Sequence, residues 1–335
     1  MGAYVDVDGL NMYYEVAGEG EPVVLVHGTG GFADSWAAQR DLLPDWYQLF
    51  MPECRGHGRT ADVEGPYTYE NFADDLAGFI EALELGPVRL VGWSNGASVV
   101  LRLALRRPDL VSRLVLLSGG VLDPAGQTAA ATALSVDPGR SRLAETWRPL
   151  YEALSPDGPE HFPVVEEKLN RMWREATPVT KDQIAALPMP LLVLQGDDDC
   201  IEIAHAAALA GTAPDGRLAV IPGTSHISPV EKPELVNLIL LDFFEDKPPA
   251  RLFPLGSLRS AAEAAGAGNA SAAQSTGARE ISGSAAAAGP ANAAAPEAPG
   301  TSGTAAVKAD TPAPSARSSA APPAGSEPGS IPRAA

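Results

Sequence analysis

Cysteine is scarce in this chain. Its 335 residues include two, Cys54 and Cys200, and two thiols make no disulfide framework. Basic residues are also few. Lys and Arg total 24 against 42 Asp and Glu, a formal net charge of −18. Residues 251–335 hold six basic and five acidic side chains, a net +1, so residues 1–250 hold −19. So acidic a body lacks the basic footprint that nucleic-acid phosphates or an anionic membrane surface require. No apolar run reaches the length of a membrane-spanning helix. The first residues have neither a basic region nor an apolar one, which predicts no secretory signal, and Asp6 breaks the myristoylation pattern. Gly-rich segments lack the Lys and Ser/Thr of a phosphate loop, and no G-x-G-x-x-G opens a helix. No His/Cys/Asp group has zinc spacing along the sequence, and no repeat occurs at solenoid periods. These absences predict a cytoplasmic protein with no metal, no organic cofactor, no nucleic-acid partner and no membrane partner. Its oligomeric state is not legible in the sequence.

What is present is an alternation of strands and helices. Segments 3–8 and 11–16 flank Gly9, a hairpin signal. Short continuous apolar runs follow at 23–26, 47–51, 88–91, 113–117, 191–194 and 217–221. Such runs suit strands buried on both faces of a parallel sheet. Helical spacing covers 69–85, where Phe72, Leu76, Phe79, Ile80 and Leu83 share a face, and recurs at 97–106 and 235–244. The expected fold is a three-layer α/β/α domain around a mostly parallel, twisted central sheet. Residues 121–187 carry no strand-like run but two helical stretches, about 142–154 and 160–175. They predict a helical cap inserted into a core made of 1–120 and 188–247. Residues 248–335 are rich in Ala, Gly, Pro and Ser, with no aromatic after Phe253. That composition predicts a disordered tail.

The chemistry gathers at turns after strands. Gly92-Trp93-Ser94-Asn95-Gly96 is G-x-S-x-G, a weak signal alone. Here a strand precedes it and a helix follows, the context in which a tight turn exposes the serine hydroxyl. The backbone N–H of Asn95, at the helix start, can face a developing oxyanion. A serine needs a base. Of five histidines, His226 follows a strand through Pro222-Gly223-Thr224-Ser225, which puts it at the same carboxyl edge as Ser94. His205 falls in a helix. A base needs an acid to hold its tautomer, and Asp197-Asp198-Asp199 follow the strand at 191–194. One of the three is the candidate, giving the order Ser, Asp, His. His27-Gly28-Thr29-Gly30-Gly31 follows another strand, and its glycines let a second N–H approach the oxyanion. Trp93 is expected to pack.

Together these motifs resemble the α/β-hydrolase superfamily over about residues 3–245. His27-Gly28-Thr29-Gly30 is similar to the family's oxyanion loop. Residues Pro52 to Thr60 are similar to its arginine–glycine–histidine–glycine turn, with Glu53 where Asp is commoner. Residues 92–96 are similar to the nucleophile elbow. Gly196 to Asp199 and Gly223 to His226 are similar to its acid and base loops. The resemblance implies Ser94 as nucleophile, His226 as base and Asp199 as acid, with Asp198 and Asp123 as alternatives. It implies an oxyanion hole of backbone N–H groups from Thr29 or Gly30 and Asn95.

The expected activity is that of a serine esterase, cleaving a carboxylic ester, lactone or thioester of a small to medium, largely apolar substrate. Relatives of the same triad cleave carbon–carbon bonds or form peracids, as haloperoxidase-like members do. A receptor-like protein that binds without useful turnover is a third class. Trp93, Trp147, Tyr151 and Trp173 are candidate pocket residues, against the competing expectation that the cap's aromatics only pack.

Overall fold

The computed structural model describes residues 2–120 and 142–245, with side chains of the cap from 146 onward. The expected disordered tail and Asp123 lie outside the described residues.

The chain opens with strands β1 (Gly2–Val7) and β2 (Leu10–Ala17), joined by Asp8-Gly9 with φ of 49° and 89°. Two central residues at positive φ match the twist of a tight hairpin. β3 (Glu21–Val26), helix α1 (Ala37–Leu42) and β4 (Tyr47–Pro52) come next. Helix α2 (Tyr69–Ala82) starts where Thr68 and Asn71 cap each other's backbone N–H groups at 3.1 and 2.9 Å. It ends three residues before the expected position, because Glu84 and Gly86 take left-handed φ. β5 (Val88–Trp93), α3 (Asn95–Arg106) and β6 (Val111–Leu117) complete the first half.

Among the described residues, three α-helices lie between β6 and the next strand: α4 (Arg142–Leu154), α5 (Phe162–Glu175) and α6 (Lys181–Ala185). Then come β7 (Leu191–Asp198), α7 (Ile203–Thr212), β8 (Gly216–Ser225), the single turn α8 (Ser228–Glu231) and α9 (Pro233–Phe244). Pro233 opens α9 at the position where a missing N–H costs nothing.

The eight strands form one sheet in the order β1-β2-β4-β3-β5-β6-β7-β8. Pairs β1–β2 and β2–β4 are antiparallel and the rest are parallel. The continuous apolar runs are explained by burial on both sides. Val24, Val26, Leu90, Leu114 and Leu116 pack with α2, α3 and α7. Their neighbours Val23, Leu25, Val91, Val115 and Leu117 pack against Trp36, Leu43 and α9. Period-two alternation sends successive side chains to opposite layers, and both layers are dry. This is the expected three-layer, mostly parallel architecture, and it aligns the strand carboxyl ends along one rim.

Candidate active site

Ser94 ends the turn from β5 into α3. Its φ of 58° and ψ of −119° lie where non-glycine residues rarely go, a strain that recurs at functional turns. The turn is possible because its flanking glycines carry no Cβ. A Cβ on Gly92 would sit 2.3 Å from Gly96 O, and one on Gly96 would sit 2.4 Å from Val26 O. The Ser94 N–H donates to Leu117 O at 2.8 Å, fixing the turn to β6.

His226 follows β8 directly. Its Nε2 lies 2.8 Å from Ser94 Oγ, and its Nδ1 lies 2.8 Å from Asp199 Oδ1. Three residues from three separate turns thus form a continuous hydrogen-bonded line at one rim of the sheet, where open α/β sheets place ligands. Asp199 is the member of the acid cluster that meets the ring. Asp198 instead pairs with Ser225 in the sheet and is exposed. Asp197 is turned to the backbone, accepting from Gly223 N at 2.7 Å and Thr224 N at 3.2 Å.

The electrostatics follow from burial and pairing. Burial alone would raise the Asp199 carboxyl, but the His226 hydrogen bond and charge, with help from Ser118 and Cys200, hold its pKa below the usual value. Burial alone would also lower His226. The Asp199 carboxylate and Cys200 outweigh it and raise the ring above the ordinary 6.5. Glu231 fixes the loop that carries the ring, accepting from Ser225 N at 2.6 Å and Ser225 Oγ at 2.8 Å. Trp93 Nε1 donates to His226 O at 2.9 Å while the indole packs edge-on to Trp36. Trp93 therefore ties the loop that carries His226 to the end of β5.

The loop after β3 runs across the serine. A Cβ on Gly28 would come within 2.9 Å of Ser94 Cβ. Thr29 and Gly30 follow on that loop, and Asn95 opens α3, where the first N–H groups have no helical acceptor. Glu53 ties this loop to the next turn. Fully buried, it accepts from Ala33 N at 3.1 Å and from Arg59 Nη1 at 2.6 Å. His27 bridges the same region. Its Nε2 accepts from Cys54 N at 3.1 Å, so Nδ1 carries the proton given to Gly28 O at 2.7 Å.

Helices α4 and α5 meet the site at two places. Trp173 Nε1 donates to Asn95 Oδ1 at 3.2 Å. Trp147 covers the loop, so close that a Cβ on Gly30 would lie 2.4 Å from its own Cβ. Trp147 and Tyr151 are buried against Phe162, while Trp173 is 37% exposed. Sequence reasoning missed the Glu53 tether, the Trp173–Asn95 contact and the closeness of Cys200 to His226. No local pattern announces any of these.

A family model described as the alpha/beta hydrolase family matches residues 23–237. The chain belongs to the alpha/beta hydrolase family. A Mycobacterium tuberculosis protein that bears the name of a non-heme bromoperoxidase, BpoC, is 30% identical over 262 residues, spanning 70% of this chain and 98% of the relative. The (E)-2-((N-methylformamido)methylene)succinate hydrolase of Acinetobacter baylyi is 28% identical, over 70% of this chain and 95% of its own. Among solved structures, a thermophilic esterase from Thermogutta terrifontis is 28% identical with a TM-score of 0.55, covering 72% of this chain and 97% of that one. Alpha/beta hydrolases are mostly hydrolytic enzymes that act on small molecules. Among the described residues no helix is long and apolar enough to cross a membrane.

Proposed function

We propose that this alpha/beta hydrolase is a serine hydrolase that cleaves a carboxylic ester, lactone or thioester of a small to medium, largely apolar substrate. The observation that carries the reading is the line Ser94 Oγ–His226 Nε2–Nδ1–Asp199 Oδ1, with 2.8 Å at each link. Ser94 Oγ attacks the substrate carbonyl carbon while His226 Nε2 takes its proton. Asp199 holds the ring and balances the imidazolium. The oxyanion meets the N–H groups of Asn95 and of Thr29 or Gly30, each worth about 3 kcal/mol in the transition state. Collapse breaks the bond to the alcohol, which leaves with the proton from His226. Water then attacks the acyl-Ser94, with His226 again as base, and the acid departs. Residues 121–187 act as a cap over this rim, a role supported by the Trp173–Asn95 contact, and residues 1–120 and 188–247 form the core beneath it.

The test pairs a fluorophosphonate probe with a series of short-chain aryl esters. The native chain is expected to label and turn over esters. Ser94→Ala should lose both, with turnover down by roughly 10⁴-fold or more. Equal labelling of the variant would remove Ser94 from its role.

The likeness to a protein named as a bromoperoxidase favours one second reading, a peracid-forming enzyme with the same triad. There hydrogen peroxide replaces water in attacking the acyl-Ser94. Acetate plus peroxide would then give peracetate at a rate above ester hydrolysis, and the first reading predicts the reverse order.

A further inference from the structure

Cys200 has no part in that chemistry, yet it stands against its base. Cys200 Sγ lies 3.2 Å from His226 Nδ1, the nitrogen that Asp199 Oδ1 meets at 2.8 Å. One sulfur, one nitrogen and one carboxylate oxygen thus converge within 4.8 Å of one another. The Asp199 side chain is fully buried, with Ser118 and Cys200 beside it as well as His226. The His226 side chain is 33% exposed, so solvent reaches the cluster. Spacing along the sequence hides the group, because His226 is 26 residues beyond Cys200.

We propose that Asp199, Cys200 and His226 form an inhibitory site for a thiophilic divalent cation, zinc foremost, that takes Nδ1 and switches off the Ser94 hydrolase. The inhibition rests on the hydrolytic reading, whereas binding of the cation does not. Carboxylate, thiolate and imidazole form a zinc donor set, with water as the fourth ligand on the open side. Bonds of about 2.0–2.3 Å around tetrahedral zinc hold ligand atoms roughly 3.3–3.8 Å apart. The two contacts at Nδ1, 2.8 and 3.2 Å, need to open by about half an ångström, within side-chain rotation.

The proton balance explains the inhibition. The Cys200 thiol releases one proton to solvent as its sulfur binds. Zinc on Nδ1 displaces the proton that this nitrogen gives to Asp199 in the free enzyme. Exchanged through solvent, that proton comes to rest on Nε2, which faces Ser94 Oγ at 2.8 Å. A protonated Nε2 cannot accept the serine proton, and Asp199 is drawn to the metal. The acidic chain, at −18, raises the local concentration of cations.

The experiment titrates the full chain with zinc chloride during aryl-ester hydrolysis, beside Cys200→Ala and Cys200→Ser, each normalised to its own zinc-free rate. Cobalt(II) binding is followed in parallel by its thiolate charge-transfer absorption and by calorimetry. Zinc should inhibit the native chain reversibly, with recovery on adding EDTA. Both variants should need at least roughly thirtyfold more zinc, and the thiolate band should vanish in both. Equal zinc sensitivity in all three proteins, or cobalt binding without a thiolate band, would overturn the site. Ester turnover with no zinc effect and no band would sink the site and leave the hydrolase standing. A one-to-one cobalt complex with the thiolate band, in a chain that turns over no ester, would uphold the site and sink the hydrolase.

Discussion

At the scale of single residues, the turn that carries Ser94 is a problem of space before it is one of chemistry. Ser94 adopts a left-handed φ, and Gly96 two residues on leaves no room for a side chain beside Val26 O and His27 O. Gly96→Ala would place a methyl group 2.4 Å and 2.5 Å from those oxygens, and backbone oxygens cannot rotate aside as side chains can. The variant should lose about 2–3 kcal/mol or more, a fall in Tm of roughly 5–12 °C for a domain of this size. It should also lose ester turnover. A melting curve matching that of the native chain would show that the elbow is looser than these distances allow. Ser94 and His226 were legible in the sequence because each ends an apolar run through a glycine-bearing turn. Asp199 was not separable from Asp197 and Asp198 by type alone. What separates them is that Asp197 and Asp198 are taken up by the backbone and sheet of β7 and β8, which leaves Asp199 to turn inward.

At the scale of elements, the strands were legible as continuous apolar runs, and their ends were not. β7 continues through Gln195-Gly196-Asp197-Asp198 and β8 through Pro222-Gly223-Thr224-Ser225. Those residues look like turns, yet Gly196 still pairs with Ile221 and Asp198 with Ser225, with Asp197 and residues 222–224 in the irregularity between them. Pairing with a neighbour overrides local preference. The attachment of the cap was equally hidden. Asp62, on the loop before α2, holds Lys168 Nζ at 2.7 Å and His161 Nε2 at 2.8 Å, and also bonds Tyr67 OH. The Asp62 side chain is only 6% exposed, so this clasp spans core and cap with little water. Burial would raise its pKa, but Lys168, Tyr67 and His161 bring it below the usual value. Lys168→Met removes the cation and leaves the carboxylate underpaired, at a cost of about 2 kcal/mol. The loss should be local. Protease cleavage between α4 and α5 should accelerate well before global unfolding does. Cleavage at the native rate, or a parallel rise across the whole chain, would mean the clasp does not hold the cap.

At the scale of the whole molecule, three histidines set how stability depends on pH, with opposite signs. Burial and the neighbouring His57 depress His27 to about 3, and burial depresses His57 to about 4, both from 6.5. Both rings stay neutral in the folded chain and gain a proton on unfolding at mildly acid pH. Their contribution is fully present above pH 6.5 and is lost as pH falls below it. Near pH 5 the pair approaches a slope of about 2.7 kcal/mol per pH unit, since one proton corresponds to about 1.36. His226 acts the other way. Its folded pKa is raised, so its contribution is full below 6.5 and fades as pH climbs through the folded value. The two terms together place the stability maximum near neutrality. Urea unfolding from pH 5 to 8 measures this directly. His57→Gln should remove about half of the acid-side slope and leave the alkaline side unchanged, while His226→Gln should flatten only the alkaline side. An acid-side slope that stays intact in both His27→Gln and His57→Gln would mean these rings already carry protons in the folded state. In that case the hydrogen bond from Cys54 N to His27 Nε2 would have no acceptor, and the loop after β3 would be held by something other than His27.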